Sequence, residues 1–174
     1  MRSLKILSTV LIAALVLFGG DASAQKRKDR KKLFANENNY EISSVKVGQE
    51  GTKLVKVWGY GKKADQAVVQ AKKNAVHAVI FRGLPGSATV PSTPPLCKDP
   101  QAWDEHREYF ESFFETAGPY LTYVNQTTDG VPSGTDRLKI KGGYKVGIYA
   151  QVMYDNLRKR LEADGIIKKL NSGF

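Results

Sequence analysis

The chain is poor in the residues from which covalent frameworks and active centres are usually built. Cys97 is the only cysteine among 174 residues, so no intrachain disulfide can form. Stability must come from packing or from a partner. Histidine occurs twice, at His77 and His106, and no Cys/His pair has zinc spacing. Acid is scarce beside base: 17 Asp and Glu stand against 27 Lys and Arg, a formal net charge of +10. After Phe18 no apolar run approaches the roughly 20 residues needed to span about 30 Å of hydrocarbon.

What is present begins with an export signal. Arg2 and Lys5 supply a positive start, Ile6 to Phe18 an apolar stretch broken by Ser8 and Thr9, and Ala22-Ser23-Ala24 the small residues at a cleavage site. Gly19, Gly20 and Asp21 end the apolar stretch abruptly, which favours a removable signal over residues 1–24 against a retained anchor. The residue after the site is Gln25, so no cysteine stands there to take a lipid. An exported chain without disulfides fits a bacterial envelope better than a small animal secreted scaffold.

Residues 25–39 form a basic arm that cannot bury enough apolar surface to offset its ordering entropy and is expected to be mobile. Within residues 26–32, Lys26, Arg27, Lys28, Arg30, Lys31 and Lys32 face only Asp29. Such a run attracts an anionic surface, a phosphate-bearing polymer or an acidic protein, or else serves as a solvated tail. Nucleic acid is not the natural target after export.

From residue 40 onward one domain is expected. Tyr40–Val47 and Lys53–Tyr60 read as a hairpin around Gly48-Gln49-Glu50-Gly51. A helix then runs from Lys63 to Phe81. Its stripe of Ala64, Ala67, Ala71, Ala75 and Ala78 lets its axis approach a sheet closely, and Arg82-Gly83 closes it. His77 is assigned, with Gln70, Lys73 and Asn74, to the polar flank. The segment 84–100 carries five of the seven prolines and is a long loop, functional or simply mobile.

Ala102–Ala117 reads as a second helix, with Trp103, Phe110, Phe113 and Phe114 on one side and Asp104, Glu108, Glu111 and Glu115 as an acidic ridge. Strands are expected at Tyr120–Gln126, Arg137–Lys141 and Tyr144–Tyr154, the last two joined by Gly142-Gly143. Asp155 is placed to cap a final helix, and Ile166, Ile167 and Leu170 to tack the tail onto the domain. The order β-β-α-loop-α-β-β-β-α predicts an α+β domain, an antiparallel sheet of about five strands with two or three helices packed on one face.

No catalytic set emerges. His106 lies at the edge of the aromatic side, as a half-buried structural histidine would. A Cys97–His106 dyad lacks an orienting third group. The acidic ridge sits on a single helix, without the converging ligands of a calcium or magnesium site. Gly59-Tyr60-Gly61 is only a fragment of a dinucleotide fingerprint, with Ala64 at the third glycine position. Neither a metal nor a cofactor is predicted. Asn125-Gln126-Thr127 matches a glycosylation acceptor where the organism uses one.

Val57-Trp58-Gly59-Tyr60-Gly61, followed by the alanine-striped helix, resembles a pattern in small bacterial envelope modules. These include the N-terminal domains of FlgT and related small lipoproteins. The strand from Tyr144 and the helix after Asp155 are also similar to their ends. The chain departs from that group in its proline-rich insert and in lacking a lipidated cysteine. The resemblance implies an assembly or binding role in the periplasm or at the outer membrane. The expectation is therefore a non-enzymatic exported module that binds another envelope protein or an anionic envelope surface. The alternatives are a small periplasmic hydrolase using His106, or a polyanion or membrane-surface binder acting through residues 26–32.

Overall fold

Alternation along two long strands decides the architecture. In the computed structural model, which describes residues 39–169, strand β2 (Lys53–Gly61) turns Val55, Val57, Gly59 and Gly61 to one side and Leu54, Lys56, Trp58 and Tyr60 to the other. It pairs antiparallel with β5 (Gly143–Val152) along its whole length, from Lys53 opposite Val152 to Gly61 opposite Tyr144. β1 (Ile42–Val47) flanks β2, while β3 (Val124–Gln126) and β4 (Arg137–Ile140) share the other side of β5. The protein is α+β with a five-stranded antiparallel sheet. The expected signal, the six cations of the arm and Leu170 lie outside the described residues.

Helix α1 (Ala64–His77) covers one face of β2 and β5. Ala67, Ala71, Ala75 and Ala78 are wholly buried, as their spacing predicts. The approach is so close that a methyl group on Gly59 would lie 2.2 Å from the carbonyl oxygen of Ala67. Around this contact Val55, Val57, Ile80, Phe110, Ile148, Leu157 and Leu161 join one core. Each large side chain fully buried there contributes about 2 kcal/mol of transfer free energy.

The polar flank assigned to α1 is only partly polar. Asn74 is 1% exposed, and its amide donates to the carbonyl of Trp58 at 2.9 Å, which removes the penalty of burying both groups. His77 is not solvated either. It lies among Tyr40, Phe81, Trp103 and Phe114.

The helix also ends differently from the prediction. Ala78–Arg82 winds as a π-turn, closed by a bond from the Gly83 amide to Ala78 at 2.7 Å, and Gly83 leaves with φ of 74°. The wider turn frees the carbonyls of Val79 and Ile80. The amides of Leu96 and Cys97 take them at 3.1 and 2.8 Å. Leu84 and Thr93 exchange two further backbone bonds, and Val90 and Leu96 are buried. The proline-rich loop is thus an ordered cap on the end of α1.

Four other expectations are corrected. The helix over 102–117 is broken at His106 into α2 (Ala102–Glu105) and α3 (Arg107–Phe113). In this arrangement Trp103 stacks parallel on Phe110, with ring centroids 5.5 Å apart. Residues 120–123 are not strand, because Pro119–Tyr123 forms a 3-10 turn that buries Tyr120 completely. The β4–β5 turn is Lys141-Gly142, where Gly142 takes the positive φ, and Gly143 already pairs with Ile140. Asp155 does not cap α4 (Tyr154–Ala163). Met153 holds the cap position, and Asp155 lies in the first turn with its amide bonded to the carbonyl of Gly51. Ile166 and Ile167 do pack against the core.

A candidate binding face on the sheet

The face of β2 and β5 turned away from α1 carries large side chains instead of small ones. Register sets them in rungs: Tyr60 opposite Lys145, Trp58 opposite Gly147, Lys56 opposite Tyr149, Leu54 opposite Gln151. Because side chains alternate strictly along a strand, all of these project to the same side. Gly147 is what lets Trp58 lie down. A methyl group there would meet three atoms of the indole six-membered ring, each at 3.0 Å, so the ring rests flat on the bare backbone.

Cations fill the spaces between the rings. The Lys145 ammonium stands 4.8 Å from the Trp58 ring centre and 5.9 Å from that of Tyr60. Lys56 stands 5.4 Å from Trp58 and 5.1 Å from Tyr149. Contacts of this kind are worth about 0.5–1 kcal/mol at exposed sites. Each cation is also held by an acid at the margin: Lys56 by Asp136 at 2.7 Å and Lys145 by Glu41 at 2.5 Å. The Asp136 bond is the chief reason that the Lys56 pKa is raised.

Leu138, 42% exposed, extends the surface on β4 beside Lys145. Past Leu54 and Gln151 the face runs into an open depression of about 600 Å³ that includes Lys46, Val47 and Thr127. Flat rings alternating with fixed cations suit a partner that offers planar groups to stack and acidic groups to pair.

The residues singled out in the sequence fall elsewhere. Nδ1 of His77 and the Tyr40 hydroxyl share a hydrogen bond at 2.8 Å. Burial, with the nearby Arg82 charge as a lesser cause, holds its pKa down at about 4. This imidazole is neutral and serves the core.

Cys97 and His106 line one cavity of about 560 Å³, together with Asp99, Glu105, Arg158 and Ile166. Among the described residues no hydrogen bond joins the two. Burial, then the Asp99 charge, pushes the thiol up to about 11, opposite to what a nucleophile requires. The acidic ridge is exposed, and Arg107 is interleaved with it, pairing with Asp104 and lying 4.0 Å from Glu111. Among the described residues no cluster of three or more His, Cys, Asp or Glu is placed to hold a metal ion, and no helix is long and apolar enough to cross a membrane.

Sequence reasoning missed Lys56, Trp58, Tyr60, Lys145 and Tyr149 as a group. The usable signal was the set of positions between the core residues, where aromatics and lysines recur with period two in both strands. Their adjacency depends on a register that no single strand reveals.

Comparison with known proteins finds no matching family, no matching curated protein and no matching solved structure.

Proposed function

We propose that the protein is a non-catalytic exported module of a bacterial envelope that binds another envelope component on the open face of its sheet. The observation that carries this reading is the rung of Trp58 over Gly147, flanked by Lys56 and Lys145. Among the described residues no helix packs on this aromatic surface, and rings braced by paired cations fit recognition of a partner. Export rests on the N-terminal signal pattern, and the envelope setting on that pattern and on the resemblance to small envelope modules.

The hydrolase alternative gains no support from Cys97, whose thiol is held protonated. Binding through residues 26–32 remains an independent route, separable by its salt dependence.

Two measurements test the proposal. Fractionation and N-terminal sequencing of the native protein should find Gln25 as the first residue, in the envelope. A cytosolic protein retaining Met1 would overturn the setting. Separately, binding of the purified protein to isolated envelopes should fall at least tenfold in Trp58→Ala with Tyr149→Ala, and persist in Cys97→Ala with His106→Ala. The reverse pattern would return the function to the cavity.

A further inference from the structure

Beyond the edge formed by β4, on the side away from the ladder of rings, three cations converge with no acid among them. Arg137 and Lys139 stand two residues apart on β4 and so share a face. Lys139 is paired across the turn with Tyr144 of β5, and Lys63 immediately precedes α1. With Ala64 these residues line a depression of about 540 Å³.

What marks this depression is its lining, which gathers three cations and a tyrosine with no acid. Lys56, Lys145, Arg107, Arg158 and Arg160 each hold a carboxylate. Lys63, Arg137 and Lys139 hold none among the described residues. Asp136, next to Arg137 in the chain, spends its carboxylate on Lys56, and Asp65 in the first turn of α1 is not part of the lining. Gathering three like charges without a counter-charge raises the energy of the folded state, and a bound anion reverses the sign of that term.

We propose that this depression is a phosphate site. The arrangement fits a doubly charged tetrahedral oxyanion better than a carboxylate. The Arg137 guanidinium can give two parallel N–H bonds, the two lysines add point charges, and the Tyr144 hydroxyl can donate one more bond. A single carboxylate answers only one of the three charges. A phosphomonoester on a lipid headgroup and a free phosphate present the same chemistry. This site shares no residue with the ladder of rings and none with the arm at residues 26–32, so its test is independent of both.

The test is a titration of the purified full-length protein with inorganic phosphate and with acetate at fixed ionic strength, followed by calorimetry and by amide chemical shifts. In parallel, flotation is measured with phosphatidylcholine vesicles with and without phosphatidic acid. Phosphate is expected to saturate at one equivalent, shift the amides around Lys63, Arg137 and Lys139, and bind at least about tenfold more tightly than acetate. The triple change Lys63→Gln, Arg137→Gln, Lys139→Gln is expected to weaken it by at least about tenfold, the loss of one charge-assisted bond or more.

Trp58→Ala, and replacement of the six arm cations by Gln, should leave the titration unchanged. Arg137→Lys should weaken phosphate less than Arg137→Gln, which keeps the test decisive if the triple variant folds poorly. Response to phosphatidic acid vesicles alone assigns the site to a lipid phosphate, and saturation by free phosphate assigns it to a soluble ligand or polymer. Undiminished phosphate binding by the triple variant and by Arg137→Gln, equal affinity for acetate, loss on changing only the arm, or no response to phosphate in either form would each overturn the proposal.

Discussion

The two faces of the β2–β5 ribbon are made by neighbouring residues of the same strands and obey opposite rules. On the covered face, glycine and alanine remove side-chain bulk until backbone meets backbone, with Gly59 against Ala67 and Ala71. On the open face, one glycine, Gly147, makes room for the flat indole of Trp58. The first arrangement spends small residues on helix–sheet contact, and the second uses one to lay a ring out toward solvent. Small residues therefore signal close approach in both places, but only the surrounding rungs tell whether the approaching group is backbone or ligand platform.

The difference is open to direct attack. The largest effect is expected at Gly59→Val, where the new side chain meets helix backbone that cannot swing aside. A loss of about 3 kcal/mol or more in urea unfolding is expected, in the upper range for overpacked cores. Gly147→Ala faces only a ring 3.0 Å away that can lift, so about 1 kcal/mol is expected, with a change in Trp58 fluorescence. Equal losses at the two sites would erase the distinction between the faces.

Next comes acid sensitivity on the covered side. The unfolded chain takes a proton on His77 as pH falls through the usual 6.5, while the folded protein resists until about 4. Stability contributed by the neutral imidazole is therefore present above pH 6.5 and is lost as pH falls toward 4. A loss on the order of 2–3 kcal/mol is expected across that window. Comparing urea midpoints of the natural protein and His77→Leu at about pH 7 and about pH 4.5 isolates it from the carboxylates. A slope that survives the substitution would place the sensitivity elsewhere.

The two smallest effects separate dry from wet polar groups. The Tyr120 hydroxyl is buried without a partner among the described residues, so Tyr120→Phe should be neutral or stabilising by up to about 1 kcal/mol in thermal unfolding. Lys145→Gln, on the open face, should change stability by no more than about 0.5 kcal/mol, because exposed pairs such as Lys145–Glu41 contribute little. A larger loss there would mean that the rungs are structural.

How much of this could be read beforehand follows from whether the deciding contacts were local. The alanine stripe, the hairpin of β1 and β2, and the alternation of Val146, Ile148, Ala150 and Val152 all carry their period in the chain, and the α+β sheet followed from them. His77 was misplaced because Tyr40, Trp103 and Phe114, all distant in the chain, join nearby Phe81 around it and outweigh its position on the wheel. Asn74 was misplaced because its partner is a strand carbonyl sixteen residues earlier. The break at His106 and the 3-10 turn at Pro119–Tyr123 answer to aromatic packing that spacing does not encode. The ladder of rings required the β2–β5 register, and the cluster of Lys63, Arg137 and Lys139 required the β4–β5 turn to be placed within one residue.

The π-turn at Ala78–Arg82 ties the fate of two segments together. Its freed carbonyls on Val79 and Ile80 are acceptors for Leu96 and Cys97, so neither the helix end nor the proline-rich crossing can open without stranding the other's polar groups. The pair should exchange its amide protons as one cooperative unit. A shorter crossing would oblige the helix to rewind its last turn. The length of this proline-rich segment is therefore constrained from within the domain, unlike that of an ordinary surface connection.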